Sequence, residues 1–219
     1  MGGGIPDSAV TAILVAAGYL AGSMPFGYWL VLLVEHDDIR RHGSGNIGAT
    51  NVWRVHGLHL GLPVILLDVL KGLVPALVAT VLAGDLAGVL AGGAAMLGHW
   101  RPLFLGFARG GKTVATAGGT LLGVAPLVGL ATAGVWIAVF LALRYASVAS
   151  MLAAASIPLL AWLLGEPWPV IAFGGVAAAA VAVLHRANVR RLLAGTENRF
   201  ELRRRDGAST VPPSSPPRP

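Results

Sequence analysis

The sequence predicts an all-α integral membrane protein with about seven transmembrane helices. Hydrophobic residues make up 55% of its 219 residues and charged residues only 12%, and the mean hydropathy is +0.73. This composition lies outside the range of soluble globular domains. Long apolar segments recur along the chain, and the basic residues lie between them, as the positive-inside rule expects of cytoplasmic loops.

Each predicted span is an apolar segment bounded by polar or charged residues. Crossing about 30 Å of hydrocarbon takes roughly 20 helical residues. The first segment has no Lys or Arg before it and no small-residue cleavage site after a short apolar core, so we expect an uncleaved span and no signal peptide. The apolar segments lie at about 9–34, 60–83, 86–105, 114–143, 145–164 and 168–184.

Charge placement sets the expected number of spans. The connections at 84–85 and 165–167 carry acidic residues and no basic ones. With the N-terminus outside and the fourth segment divided into two spans, 114–124 and 127–143, every basic cluster falls in the cytoplasm. We therefore expect seven spans and a cytoplasmic C-terminus. The basic residues concerned are Arg40, Arg41, Arg54, Arg101, Arg109, Lys112, Arg144 and those of 186–205.

Composition also excludes several function classes and suggests two regions. The chain has no cysteine, which excludes disulfides, zinc-thiolate sites and thiol nucleophiles. Its net charge of +6 comes from residues that flank apolar segments, so we expect contact with the lipid bilayer and none with nucleic acid. Residues 1–200 are predicted to form the membrane domain. The Pro/Ser-rich residues 201–219 are predicted to be a disordered basic cytoplasmic tail.

The first polar loop, GSGNIGATN at 43–51, has the composition of an anion site. Its glycines free the backbone to present N–H groups, hydroxyls add donors, and Arg54 adds a bidentate fork. An ordinary turn before a helix has similar glycines, but the asparagines and Arg54 favour a binding site. The candidate residues are Gly43, Ser44, Gly45, Asn46, Thr50, Asn51 and Arg54.

The second polar loop, GHWRPLFLGFARGGKT at 98–113, places a glycine pair and a lysine at the predicted start of a helix. GFARGGKT fits the bare P-loop pattern, but a P-loop follows a buried strand whereas this stretch follows a membrane span. Backbone amides at a helix N-terminus with a lysine still favour phosphate. We expect phosphate binding without a nucleotidase fold, from His99, Gly110, Gly111 and Lys112.

The third polar loop, HRANVRRLLAGTEN at 185–198, brings His185 and Asn188 to one helical face. A histidine at the end of a span can instead be a structural interfacial residue, and arginines that flank a membrane commonly serve topology alone. Glu197 is predicted to tether one of the arginines.

Charged and hydroxyl residues inside the spans are further candidates. Asp68 and Lys71 lie one helical turn apart, and charges inside a membrane are costly unless paired or functional. Two arrangements are possible. Either Asp68 and Lys71 form a mutual ion pair, or Lys71 extends toward the anion site while Asp68 positions it. Ser147 and Ser150 are weaker candidates, because serines within spans often bond to their own backbone.

These stretches, in this order and separation, resemble the bacterial acyl-phosphate:glycerol-3-phosphate acyltransferase family. The resemblance covers roughly positions 20 to 198. The chain departs from the family at Thr113, where a glycine is usual, and beyond Arg199. The matching motifs are GSGNIGATN with Arg54, LDVLKG, GHWRPLFLGF with GGK and VAT, RYASVAS, and HRANVRRLLAGTEN.

The resemblance implies a monomeric multi-pass enzyme of the bacterial plasma (inner) membrane, with its active site facing the cytoplasm and no cofactor or metal. A fatty acyl group would pass from acyl-phosphate to the 1-hydroxyl of glycerol 3-phosphate, giving lysophosphatidate and phosphate, the first step of phospholipid synthesis. A transporter of a phosphorylated solute, gated by the broken fourth segment, is the alternative. The crowding of polar residues on one membrane side opposes it.

Residue roles follow from the same resemblance. Ser44, Arg54, Lys112, Ser150, His185 and Asn188 map to residues that bind the substrates or support catalysis. Lys71 and Arg144 are expected to bind phosphate, and Asp68 and Glu197 to be structural. His185 is one candidate general base, and the substrate phosphate is the other. Ser44 as a covalent nucleophile is the least favoured route.

Overall fold

The computed structural model describes residues 7–200, and its regular structure there is entirely helical, which confirms the all-α part of the predicted fold class. The predicted tail at 201–219 lies outside the described residues. Short 3-10 turns occur at Ile39–Arg41 and Leu103–Leu105. The α-helices are α1 (Asp7–Gly22), α2 (Phe26–Glu35), α3 (Ala49–His56), α4 (Leu58–Trp100), α5 (Val114–Val124), α6 (Pro126–Leu143), α7 (Ala146–Leu163), α8 (Trp168–Leu184) and α9 (Arg186–Leu193).

The first predicted span consists of two consecutive helices. The segment 23–25 separates α1 from α2, and Pro25 precedes the first residue of α2. Proline removes a backbone donor and disfavours a helical conformation in the residue before it, which explains the break. Gly18 and Gly22 of α1 lie directly against the backbone of α4, with no room for a Cβ atom. Small residues thus allow these two helices to pack closely.

Helix α4 is a hairpin of two antiparallel arms. The chain reverses at Gly84, whose φ of 83° and ψ of 177° are accessible almost only to glycine. Asp68 Oδ1 on the first arm lies 3.6 Å from His99 Nδ1 on the second, so the two arms run antiparallel, side by side. Two spans were predicted here, at 60–83 and 86–105. The second arm ends at Trp100, and the predicted last residues form a 3-10 turn after Pro102.

The predicted division of the fourth apolar segment is confirmed, since α5 and α6 are separate helices with Pro126 at the start of α6. Four stretches within 7–200 are long and apolar enough to cross a membrane, or five if the bent pair α8 and α9 is one span. That count takes Leu58–Leu105 once, although it holds both arms of α4, and it sets aside the short α5. The total of seven therefore stays a prediction.

Two hydrophobic clusters hold the helices of the bundle together. One joins α5 to α8 through buried residues that include Leu121, Val128 and Ile157. The other joins α2, α3 and the first arm of α4 through Val31, Val52 and their neighbours. The loops that connect these helices are thereby held on rigid elements, which is what a precise binding site requires.

Candidate functional site

A cavity of about 390 Å³ lies where the three polar loops meet. Its other end runs between α5, α6 and α7 and is lined mainly by small and apolar residues, among them Gly118, Leu122, Ala133, Ile137 and Ile157. A cavity that is polar at one end and apolar at the other suits an amphiphilic ligand. The polar lining is formed by Ser44, Asn46, Thr50, Asn51, Arg54, Asp68, His99, Lys112, Thr113, Thr132, Ser147, Ser150, His185, Asn188, Arg191, Glu197 and Asn198.

Glu197 is the centre of a hydrogen-bond network at the polar end. Its Oε1 accepts from Asn188 Nδ2 (2.6 Å) and from Ser147 Oγ (2.8 Å), and its Oε2 accepts from Arg191 Nε (2.7 Å). Burial opposes ionisation, but these three hydrogen bonds outweigh it and hold the pKa of Glu197 below its ordinary value. The predicted tether between Glu197 and an arginine is therefore present.

Lys112 joins this network through Asn188, because its Nζ donates to Asn188 Oδ1 over 2.6 Å. Burial lowers the pKa of Lys112 to about 8, and neighbouring arginines add to that effect while Glu197 opposes it. The ammonium is thus charged at neutral pH but titrates only slightly above it. Asn188 separates this cation from the carboxylate, which leaves the charge of Lys112 directed at the cavity.

The first turn of α5 presents unused backbone donors beside Lys112. Within residues 7–200, the N–H groups of Val114 and Ala115 have no backbone acceptor, and both residues line the cavity. The N–H groups of Gly110 and Gly111 donate instead to carbonyls at the end of α4, each at 2.9 Å. The glycine amides therefore hold the loop and do not cradle a phosphate as predicted. The N–H groups that can bind phosphate are instead those at the N-terminus of α5.

Asparagine side chains fold the 43–51 loop from within. Asn51 Oδ1 accepts from the backbone N–H of Ser44 (2.9 Å), and its Nδ2 donates to the carbonyl of Asn46 (2.8 Å). Gly43 and Gly45 adopt φ values of 58° and 67°, the left-handed region that favours glycine. Both asparagines line the cavity, so phosphate contact by either stays a prediction, but their observed bonds shape the loop.

Arg54 is a second cation at the polar end. It forms no ion pair with a carboxylate of residues 7–200, and its guanidinium carbon lies 4.9 Å from the centre of the Phe200 ring. Burial lowers the pKa of Arg54 from its ordinary value, yet an arginine stays protonated throughout the physiological range. Glu197 acts on Arg54 electrostatically but forms no ion pair with it, and such a half-buried guanidinium suits a phosphate or carboxylate ligand.

His185 lies at the 55° bend between α8 and α9 and is 3% exposed. Its Nδ1 lies 2.8 Å from the carbonyl of Val181, which requires Nδ1 to carry the hydrogen. The Nε2 atom is then a hydrogen-bond acceptor. His185 and Asn188 both line the cavity, in agreement with their predicted common face.

Asp68, Lys71 and His99 form a buried cluster below the loops. Lys71 Nζ lies 2.7 Å from Asp68 Oδ1 and donates to the carbonyl of Met24 at 2.9 Å. Lys71 does not line the cavity, whereas Asp68 and His99 do. Of the two alternatives, the mutual ion pair is observed. The predicted contact between Lys71 and substrate is corrected, because a buried lysine is stabilised by a carboxylate within reach.

Arg144 differs from its predicted role, whereas Ser150 lines the cavity and its contact with substrate stays a prediction. Ser150 Oγ donates to the carbonyl of Ala146 (2.7 Å) and accepts from Trp136 Nε1 (3.1 Å), so it fixes an aromatic wall of the cavity. Arg144 is exposed between α6 and α7 and does not line the cavity. Arg109 does not line the cavity either, although it acts electrostatically on Lys112.

Sequence reasoning ranked some residues of the site too low or missed them. Ser147 was a weak candidate and contacts Glu197. The spacing from Arg144 was its only signal. Trp53, Trp136 and Phe200 were missed, because single aromatic residues in an apolar chain carry no distinctive pattern.

Comparison with known proteins identifies the family and supports the fold. The family model described as "Glycerol-3-phosphate acyltransferase" matches residues 12–195. A glycerol-3-phosphate acyltransferase of Desulforudis audaxviator is 44% identical over 198 residues, covering 90% of this chain and 100% of that protein. Solved structures of PlsY, an integral membrane glycerol 3-phosphate acyltransferase, are similar in two forms. The glycerol 3-phosphate form has 42% identity and a TM-score of 0.84, and the lysophosphatidic acid form has 41% and 0.81. Each alignment covers 88% of this chain and 96% of that structure.

Proposed function

This chain belongs to the glycerol-3-phosphate acyltransferase family, and from that premise we propose that it transfers a fatty acyl group from acyl-phosphate to the 1-hydroxyl of glycerol 3-phosphate. The products are lysophosphatidate and inorganic phosphate. The observation that supports this proposal most strongly is that one continuous cavity has a cationic end and an apolar arm. Both the acyl donor and the product have a phosphate-bearing head and a hydrocarbon tail, and the cavity offers a place for each.

Two helix N-termini support the binding of two phosphate groups. The starts of α3 and α5 both line the cavity, the first through Ala49 and Thr50 and the second through Val114 and Ala115. Each lies near a cation, Arg54 for α3 and Lys112 for α5. Oriented amides and a nearby cation are the usual means of binding phosphate.

The apolar arm accounts for the tail of the donor. Ala117, Gly118, Gly129 and Ala133 leave space between α5 and α6, and Ile157 of α7 closes the side. A fatty chain in this arm would place its acyl phosphate near Lys112 and the start of α5. Apolar lining of this kind stabilises a bound chain by about 0.8 kcal/mol per buried methylene group.

Direct transfer requires little chemistry from the protein. The glycerol hydroxyl oxygen forms a bond to the acyl carbonyl carbon, and the bond from that carbon to the phosphate oxygen breaks with its electron pair leaving on phosphate. Acyl-phosphates are activated, so orientation of the two substrates supplies much of the rate. His185 Nε2 is free to accept the hydroxyl proton, since Nδ1 is engaged with the backbone.

We extend the proposal to topology and location. Counting both arms of α4 and the short α5 separately gives seven crossings, with the N-terminus outside and the polar end of the cavity in the cytoplasm. This orientation puts the site where soluble glycerol 3-phosphate is available, in the inner membrane of a bacterium. We take a monomer as the working unit.

The decisive experiment supplies purified chain in detergent with palmitoyl phosphate and labelled glycerol 3-phosphate. Formation of labelled lysophosphatidate with stoichiometric phosphate supports the proposal. Activity with palmitoyl coenzyme A in place of palmitoyl phosphate would overturn the assigned donor. Binding of glycerol 3-phosphate without product from either donor would overturn the transferase assignment.

A further inference from the structure

Phe200 packs into an aromatic cluster next to the cavity. Its ring centre lies 5.0 Å from that of Trp53 on α3 and 5.2 Å from that of Phe140 on α6. Phe140 in turn stacks on Trp136 at 4.9 Å. Trp53 and Trp136 both line the cavity, so the cluster connects Phe200 to two of its walls.

The segment 197–200 is tied down at both of its ends. Glu197 is held by Ser147, Asn188 and Arg191, as described above. At the other end, the backbone N–H of Phe200 donates to the carbonyl of Arg144 over 2.8 Å. The segment thus forms a strap that crosses from α9 to the connection between α6 and α7, and Asn198 within it lines the cavity.

Arg54 has the Phe200 ring as its aromatic partner and no carboxylate partner within residues 7–200. Asp or Glu would neutralise the guanidinium and compete with an anionic ligand. An aromatic face attracts and orients a cation without neutralising it. The ring therefore adds no counter-charge to Arg54, on which the carboxylate of Glu197 acts only from beyond ion-pair distance.

We propose that Phe200 is a positioning residue for anion recognition, which holds the Arg54 guanidinium at the polar end of the cavity. This inference rests on the proposed function, since the anion is the phosphate of glycerol 3-phosphate or of the acyl donor. Phe200 touches neither substrate. Its effect falls on affinity for the phosphate that Arg54 contacts, with little effect on the chemical step.

The test compares three full-length proteins in detergent: the wild type, Phe200→Leu and Phe200→Tyr. Leucine keeps an apolar side chain of similar reach but has no ring face, whereas tyrosine keeps the ring. We expect Phe200→Leu to raise the KM for one phosphate substrate about fivefold to tenfold, with kcat within about twofold of wild type. Tyrosine should restore the wild-type KM. Separate KM values for glycerol 3-phosphate and palmitoyl phosphate identify which phosphate Arg54 contacts.

Wild-type KM values for both substrates in Phe200→Leu would overturn the proposal, as would an unchanged KM with a loss of kcat alone. Thermal unfolding checks that each variant is folded, and Phe200→Met takes the place of the leucine variant if that one is not.

A second arm measures binding of glycerol 3-phosphate and of palmitoyl phosphate by calorimetry and does not depend on turnover. Phe200→Leu should weaken binding in the wild-type background and have no further effect when combined with Arg54→Gln. Additive losses would overturn the role through Arg54. A chain that shows this coupling but forms no lysophosphatidate would refute the proposed function and leave the role of Phe200 intact.

Discussion

The ammonium of Lys112 donates a hydrogen bond of 2.6 Å to the carboxamide oxygen of Asn188, which lies 76 residues further along the chain. The same carboxamide donates to Glu197 over 2.6 Å. Asn188 is thus a neutral spacer between a cation and a carboxylate. Without it, direct pairing of Lys112 with Glu197 would withdraw the cation from the cavity.

We predict that Asn188→Ala lowers kcat/KM by about 10- to 100-fold, because it removes two hydrogen bonds to charged groups, each worth about 1.5–3 kcal/mol. Steady-state kinetics with palmitoyl phosphate and glycerol 3-phosphate provide the measurement. Val189→Ala, at an exposed position of α9 beside it, is the matched control and should keep wild-type kinetics. Equal activity of the two variants would contradict the spacer role.

The pH dependence of activity should report Lys112. Its pKa is lowered to about 8, so the cation that favours phosphate is present below that pH and lost above it. The pH dependence of kcat/KM reports the pKa values of groups in the free enzyme. We therefore expect kcat/KM to fall as the pH rises through about 8. Lys112→Arg should remove this limb, because arginine does not titrate in the range. If the alkaline decrease of kcat/KM persists unchanged in Lys112→Arg, it arises from the titration of another group.

Features of the fold that depend on local residue types could be predicted from the sequence. The division of the fourth segment at Pro126 and the reversal at Gly84 were readable from proline, glycine and charge. The gathering of the polar loops at one end followed from the positive-inside rule. The break at Pro25 was missed, because the hydrophobicity of residues 9–34 is continuous on both sides of it.

Partner choice between distant residues was not readable. The sequence shows that Gly110 and Gly111 have free amides in principle, but the acceptors that use them belong to the end of α4. Likewise, Lys71 had two possible partners, and only packing against Asp68 and the Met24 carbonyl decided between them. The importance of Phe200 was not readable for the same reason, since its partners Trp53 and Arg54 belong to α3, far from it in sequence.

His185 should act in the chemical step. With Nδ1 bonded to the Val181 carbonyl, Nε2 is the atom available to a hydroxyl. We predict that His185→Ala lowers kcat by about 10²- to 10⁴-fold, the usual range for loss of a general base, while both substrates still bind. Stopped assays for kcat and calorimetry for binding separate the two effects. His59→Ala, at an exposed histidine that does not line the cavity, should leave kcat unchanged. A raised KM for glycerol 3-phosphate with little change in kcat would favour proton transfer to the substrate phosphate.

The buried pair of Asp68 and Lys71 should stabilise the α4 hairpin without taking part in catalysis. Lys71→Met leaves the buried Asp68 carboxylate with only His99 beside it, at 3.6 Å. Breaking a buried ion pair costs about 3–5 kcal/mol, whereas replacing both partners is often neutral. We therefore expect a lower thermal unfolding midpoint for Lys71→Met and recovery in the Asp68→Leu, Lys71→Met double variant. If the two substitutions lower the unfolding midpoint additively, Asp68 and Lys71 do not stabilise each other.

Thr113 should reduce the stability of the chain that it belongs to. It adopts φ of 65° and ψ of 0° just before α5, a left-handed conformation rare for β-branched residues, and its buried Oγ1 has no hydrogen-bond partner within residues 7–200. Thr113→Gly relieves a strain of about 1–2 kcal/mol, partly offset by the greater freedom of glycine in the unfolded chain. We expect a higher thermal unfolding midpoint in detergent. Thr116→Gly is the matched control, because Thr116 lies inside α5 with an equally unpartnered Oγ1, and there glycine should lower the midpoint. A lower midpoint for Thr113→Gly as well would show that contacts of the Thr113 side chain outweigh its backbone strain.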